Sequence, residues 1–221
     1  MLQRKFQEDT HLKLYDMRLA PNPRRVRIFL AEKGLEVPTV EVDIRAGENL
    51  QPEFLAVNPR GLLPTLQLDD GTVIDESTAI CRYFEEMQPE PPLLGVTPVE
   101  KALVECWSRR VEFDAGLPLV DAFRNSYPAY AAERAVPGRT GLGAIPELVE
   151  RGRGRLADFY PVIDRRLGES EYVAGADFSA ADIALLCITD FARALKMPVP
   201  EDLEHFSRWH AAVSARPSAK A

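Results

Sequence analysis

Three short stretches combine residue types and spacings that could do chemistry. In residues 19–30, LAPNPRRVRIFL, Asn22 followed by Pro23 reads as the N-cap and first-position proline of a helix. A helix N-terminus carries partial positive charge and unpaired N–H groups, which favour an anion such as a thiolate. In Gly61-Leu62-Leu63-Pro64-Thr65 an X-Pro bond sits just ahead of a strand. That setting invites a cis peptide and leaves the backbone of Leu63 free to pair with an extended ligand. In Asp75-Glu76-Ser77-Thr78, at the start of the next helix, Ser77 and its neighbouring N–H groups would accept a carboxylate while Glu76 meets an amine. Amine and carboxylate on one carbon make an amino-acid end group.

Other constellations are missing. His11, His205 and His210 have no metal-ligand spacing, so no metal site is expected. Gly141-Leu142-Gly143 has no strand leading into it and is not a dinucleotide loop; there is no phosphate-binding loop and no GxSxG. Cys81, Cys106 and Cys187 lie inside amphipathic runs and read as small core hydrophobes, without a CxxC for dithiol chemistry. Arg24, Arg25 and Arg27 form either an anion patch or a solvated helix face.

The elements that must position these residues follow from periodicity. Residues 11–17 alternate as a strand, with Leu12 and Leu14 on one face. Val26, Phe29 and Leu30 repeat at helical spacing up to a stop at Gly34, and Val40, Val42 and Ile44 alternate as a second strand. Strand, helix, strand favours a parallel pair. After a polar loop and a short helical piece at Glu53-Phe54-Leu55, Leu66 and Leu68 lie on one strand and Val73 on the next. Asp69-Asp70-Gly71 joins them as a hairpin. Ile80, Tyr83, Phe84 and Met87 mark a following helix.

Residues 88–98, with four prolines and one glycine, read as a linker. Beyond it the pattern is helical: 99–123 with an interruption near Gly116 and Pro118, 148–167, a run opened by the box-like Ser179 and Asp182, and 203–214. Residues 126–146, containing Tyr127 and Tyr130, are a connection or lid.

A chain of 221 residues, 46% hydrophobic and 28% charged, suits a soluble globular protein with a sizeable core. The net charge of −7 argues against nucleic acid or an anionic membrane as partner. Scattered cysteines suit a reducing cytoplasm. The polar start lacks a signal-peptide core, and no segment approaches the ~18–20 apolar residues of a membrane span.

Taken together, APNPRRVRIFLAEKG, NPRGLLPTLQLDDG, DESTAICRYFEE and FSAADIA resemble a cytosolic glutathione transferase of the bacterial, theta/zeta-like kind, over about the whole chain after residue 10. The resemblance implies a disordered extension (1–10), a thioredoxin-like α/β domain (11–88) with a βαβ–ββα order and a mixed four-stranded sheet, the linker (89–98), and an all-helical domain (99–221). It also implies a homodimer with the glutathione site near the interface. Carried over, the Leu63 backbone before a cis-Pro64 pairs with the cysteinyl part of glutathione, and Glu76 and Ser77 hold its γ-glutamyl end. Asn49 reaches the glycyl end or the thiol region, and Ser179 with Asp182 forms a buried capping box. A hydrophobic co-substrate lies between the first helix and the C-terminal helices, under Tyr127 and Tyr130.

The chain departs from the pattern at Ala20, where relatives typically place a catalytic serine. Asn22 is the substitute donor, unless it only caps the helix; Tyr15 is a second candidate, unless it is a packing residue. The expected activity is attack of bound glutathione thiolate on a hydrophobic electrophile. Alternatives are reduction of a disulfide or peroxide at the same site, and a non-catalytic interaction module that keeps the fold.

Overall fold

The computed structural model describes residues 12–197 and 199–221. The extension expected over 1–10, and His11, lie outside the described residues. β1 (Lys13–Asp16) leads into α1 (Pro21–Lys33) and β2 (Thr39–Glu41); a 3-10 turn (Glu48–Leu50) and α2 (Pro52–Leu55) follow. β3 (Thr65–Gln67) and β4 (Val73–Ile74) precede α3 (Ser77–Met87). The sheet order is β2-β1-β3-β4, with β1 parallel to β2 and the other pairs antiparallel. This is the mixed four-stranded sheet expected of a thioredoxin-like domain.

Local chemistry accounts for the boundaries. Gly34 ends α1 at φ +64°, a left-handed cap that costs a glycine little. At the hairpin the Leu68 N–H donates to the Thr72 carbonyl (2.8 Å) and the Asp70 carboxylate accepts the Thr72 N–H (2.8 Å). Leu12, Leu14, Val26, Phe29, Leu66, Ile80 and Phe84 are buried together between sheet and helices. Two residues placed on apolar faces are exposed instead: Val40 lies on the edge strand β2, and Met87 is the last residue of α3, where the helix leaves the core.

The rest is helical: α4 (Pro98–Val111), a π-helical turn (Glu112–Gly116), α5 (Leu117–Ser126), α6 (Pro128–Ala131), α7 (Pro146–Glu169), α8 (Ala180–Ala194), α9 (Glu204–Ser214) and a 3-10 turn (Pro217–Lys220). The interruption near Gly116 is the π turn, a wider coil between α4 and α5. Cys106 is exposed, contrary to the core expectation. Val104, Trp107 and Val111 take the buried face of α4, which leaves Cys106 on the opposite side.

Ser179 is the N-cap of α8. The Asp182 carboxylate, fully buried, accepts from the Ser179 N–H (3.0 Å) and Oγ (3.0 Å), the Val173 N–H (2.9 Å) and the Trp209 indole (2.8 Å). One side chain thereby ties the start of α8, the preceding loop and α9.

The proline-rich segment before α4 is pinned along its length. Glu85 accepts the N–H groups of Leu93 and Leu94 (3.0 Å each), and the Ala180 N–H donates to the Leu93 carbonyl (2.9 Å). The buried Lys33 ammonium donates to the carbonyls of Pro89 (3.1 Å) and Pro91 (2.5 Å) and forms an ion pair with Glu85 (2.5 Å).

The C-terminal 3-10 turn is held against α1 by Glu32, which accepts from Arg216 (2.7 and 2.8 Å) and from Ser218. Burial alone would raise the Glu32 carboxyl, but these hydrogen bonds outweigh it and hold the group below its ordinary value. A carboxylate with a depressed folded pKa stabilises the fold above its unfolded pKa and loses that contribution as pH falls through the folded value. Melting temperatures should therefore fall below roughly pH 4, and Glu32→Gln should flatten that acid limb while lowering stability at pH 7. An acid limb unchanged in Glu32→Gln contradicts the assignment.

Candidate active site

Two cavities flank α1. The larger, of about 320 Å³, opens at the N-terminus of α1 and is lined by Ala20, Asn22, Asn49 and Leu63, with Phe123, Arg124, Tyr127, Tyr130 and Phe191 from the helical half. The second, of about 240 Å³, lies between α1, α3, α4 and α8 and contains Ser77, Arg25 and Ser108.

The α1 terminus is built differently from the sequence expectation. Ala20, not Asn22, is the N-cap, and Asn22 is the second residue of the helix. Pro21 fits the first helical position as well as Pro23 does, and the helix takes the earlier one. The Asn22 side chain is consequently free of capping duty, exposed, and part of the cavity wall. Pro21 and Pro23 have no N–H, and that of Arg24 donates to the Ala20 carbonyl (3.2 Å). Within this first turn the backbone donor without a partner among the described residues is that of Asn22, with its side-chain amide beside it.

The opposite wall is the 58–65 loop. Gly61 adopts φ +62°, and a Cβ there would stand 3.0 Å from the Asn49 carbonyl oxygen, so the position demands glycine. Asn49 is buried and donates through Nδ2 to the Gly61 carbonyl (2.7 Å), while its Oδ1 has no partner among the described residues. Asn58 braces the loop from behind, donating to the Leu62 carbonyl (3.1 Å) and Thr65 Oγ1 (2.9 Å) and accepting the Arg60 N–H (3.0 Å). Leu63–Pro64 is cis, and the Leu63 N–H and C=O have no backbone partner among the described residues. Pro64 is buried outside the cavity lining.

At the second cavity Ser77 is buried with no hydrogen bond on its hydroxyl among the described residues. Arg25 is 7% exposed and has no ion pair or hydrogen bond among them; its Nε is sealed and unpartnered. Its two neighbours are not solvated either: Arg24 pairs with Asp190 (2.7 Å) and Arg27 with Asp16 (2.5 Å). Glu76 is exposed and, with Asp75, shares Arg60 (2.7 and 2.9 Å).

The segment expected as a connection or lid crosses to the loop side of the cavity. Arg134 donates to the carbonyls of Ile44 and Arg45, and a Cβ on Gly138 would fall 2.1 Å from the Arg60 carbonyl oxygen. Gly138, at φ +71°, permits this close approach.

Asn22, Asn49 and Leu63 thus share one cavity, Ser77 lines the next, and Glu76 stands at the surface nearby in sequence. Tyr15 is elsewhere: its hydroxyl donates to Gln67 (3.2 Å) and its ring packs edge-on against Phe54 (5.6 Å). Sequence reasoning offered Arg25 only as part of an anion patch or a solvated helix face, and missed Asn58 and Arg124; of these two only Asn58, standing before a proline in a turn, left a local signal. Burial pushes the Cys81 thiol up to about 12 and that of Cys187 to about 11, so neither supplies a thiolate near neutral pH. No group of metal-binding side chains occurs among the described residues, and no helix there is long and apolar enough to cross a membrane.

Comparison with known proteins places this architecture. The family model "Glutathione S-transferase, N-terminal domain" matches residues 20–87, and "Glutathione S-transferase, C-terminal domain" matches 110–217. Glutathione S-transferase 2 of Saccharomyces cerevisiae is 37% identical over 215 residues, covering 94% of this chain and 87% of that protein. The crystal structure of Gtt2 from S. cerevisiae has a TM-score of 0.87 at 37% identity, covering 94% of this chain and 98% of that one. Gtt2 of Vibrio parahaemolyticus gives 0.80 at 36%, covering 95% and 96%. The chain belongs to the glutathione S-transferase family and is an enzyme with general glutathione transferase activity.

The two asparagines separate structure from function. Asn22→Ala removes no hydrogen bond among the described residues and should change stability by less than about 0.5 kcal/mol. Asn49→Ala breaks a buried bond and should cost about 1–3 kcal/mol. Denaturant unfolding of both variants checks this; equal costs contradict the assigned geometry.

Proposed function

We propose that bound glutathione, as its thiolate, attacks an apolar electrophile in the larger cavity. What carries the reading is that Asn22, Asn49 and the unpaired Leu63 backbone converge on one cavity whose far wall is aromatic. The Leu63 N–H and C=O pair with the cysteinyl unit, which brings the sulfur toward the α1 terminus. Asn49 Oδ1 accepts from the glycyl amide. Ser77 donates to the γ-glutamyl carboxylate, with the partnerless Arg25 guanidinium lining the same cavity. Glu76 Oε1 is engaged by Arg60, and the remaining carboxylate oxygen meets the amine.

At the sulfur, Asn22 replaces the missing hydroxyl. A hydrogen bond to a charged sulfur contributes ~1.5–3 kcal/mol, about one to two pKa units. The helix terminus adds ~0.3–2 kcal/mol toward the anion. The thiol proton passes to solvent, the sulfur forms the new bond to carbon, and the leaving group departs with its electron pair. The protein's contribution is positioning and anion stabilisation. The protein works in the cytoplasm as a homodimer.

Calorimetric titration with glutathione tests the clamp. Ser77→Ala should raise the Kd about tenfold or more with an unchanged melting temperature. An unchanged Kd removes Ser77 from the site.

A further inference from the structure

The net charge of the chain is −7, yet the wall of the larger cavity is cationic. Arg124, on α5, is 9% exposed and has no carboxylate partner among the described residues. Its Nε donates to the Ala135 carbonyl (3.2 Å) and its Nη2 to that of Arg134, while Nη1 donates to nothing among them. The guanidinium lies 4.4 Å over the Tyr130 ring, which Arg134 approaches from 5.3 Å, likewise without a carboxylate. Arg45, by contrast, is paired with Asp43. Burial lowers the Arg124 pKa, but an arginine remains charged. A largely desolvated guanidinium with a spare donor on an apolar cavity is a receptor for one anionic group.

We propose that Arg124 selects electrophiles that pair an apolar, conjugated body with a carboxylate, the body lying on Phe123, Tyr127 and Phe191 and the carboxylate on Nη1. This rests on the proposed function and names its substrate class. The aromatic rings are linked, Phe123 standing 5.2 Å from both Tyr127 and Phe191, and Tyr130, under the Arg124 guanidinium, stands 5.5 Å from Phe123 and 5.7 Å from Tyr127. The guanidinium therefore borders the wall that receives the electrophile. Arg45 lies in the 43–49 loop that also carries Asn49, and Asp43 already meets its charge.

A matched pair of chloroarenes tests this: 4-chloro-3,5-dinitrobenzoate and its neutral methyl ester. In each, the glutathione sulfur bonds to the chlorine-bearing carbon, chloride leaves with the electron pair, and the thiol proton goes to buffer. Rates are taken relative to the uncatalysed reaction of each compound, which removes their intrinsic difference. The wild-type protein should favour the acid about tenfold or more in kcat/KM, mainly through KM. Arg124→Gln should erase that preference, the acid losing about tenfold more kcat/KM than the ester while the KM for glutathione stays within about twofold, and Arg124→Lys should restore part of it. Loss of the Arg134 and Ala135 carbonyl contacts by itself would slow both compounds equally. Should Arg124→Gln not fold, the wild-type preference and competitive inhibition by benzoate against the electrophile still decide. Equal or reversed preference overturns the proposal. A raised KM for glutathione with both electrophiles equally affected also overturns it, because the guanidinium then holds glutathione's own carboxylate. Conjugation of neither compound overturns the underlying functional reading instead.

Discussion

Everything at the site depends on α1 being held from all sides. Arg24 pairs with Asp190 on α8, Arg27 with Asp16 on β1, Glu32 with Arg216 beyond α9, and Lys33 with Glu85 on α3. These pairs follow one another down the helix, and two of them reach into the helical half. A buried pair is an uncertain source of net stability, because desolvation offsets attraction. What such pairs do provide is one permitted register. Shifting α1 by a turn would strand several charges at once, so its N-terminus stays opposite Leu63 and beneath Phe191.

That fixed terminus sets the chemical character of the site. Two prolines in the first turn remove donors that an ordinary helix start would offer, and alanine at the cap removes a hydroxyl. The field of the helix remains, because the aligned peptide dipoles further along are unaffected. In the proposed reaction, recognition of the anion falls to Asn22, through its N–H and its side-chain amide. Around it the cations are unevenly used: Arg24, Arg27 and Arg45 are neutralised by carboxylates, whereas Arg25 and Arg124 are buried without one among the described residues. Buried unpaired guanidinium groups are costly to hold in a fold. Their placement on the two cavities gives that cost a function, since each cavity is proposed to receive a carboxylate.

Much of the fold was legible in the sequence because it rests on local rules. Gly34 and the Asp69-Asp70-Gly71 turn mark chain reversals, and the spacing of Val26, Phe29 and Leu30 marks a buried face. The interruption near Gly116 was also visible, although not its π-helical form. Two of the misreadings share a cause: the same local signal fits two registers. Pro21 and Pro23 both suit the first helical position, and only packing chooses between them. Cys106 falls within an amphipathic run, but the angular position of the buried stripe on α4 depends on α8. The burial of Arg25 and Arg124 could not be read at all, because periodicity assigns charged residues to solvent. Their environment is made by segments distant in the chain, including the 134–135 carbonyls that receive Arg124.

The direct measurement is the ultraviolet absorbance of bound glutathione thiolate across pH, in the wild-type protein and in Asn22→Ala. The account predicts that the bound thiol ionises well below its free pKa, and that Asn22→Ala moves it back up by about one to two units without loss of binding. A bound thiol that ionises at its free pKa, or one whose pKa ignores Asn22→Ala, would contradict the claim that the α1 terminus and Asn22 hold the thiolate.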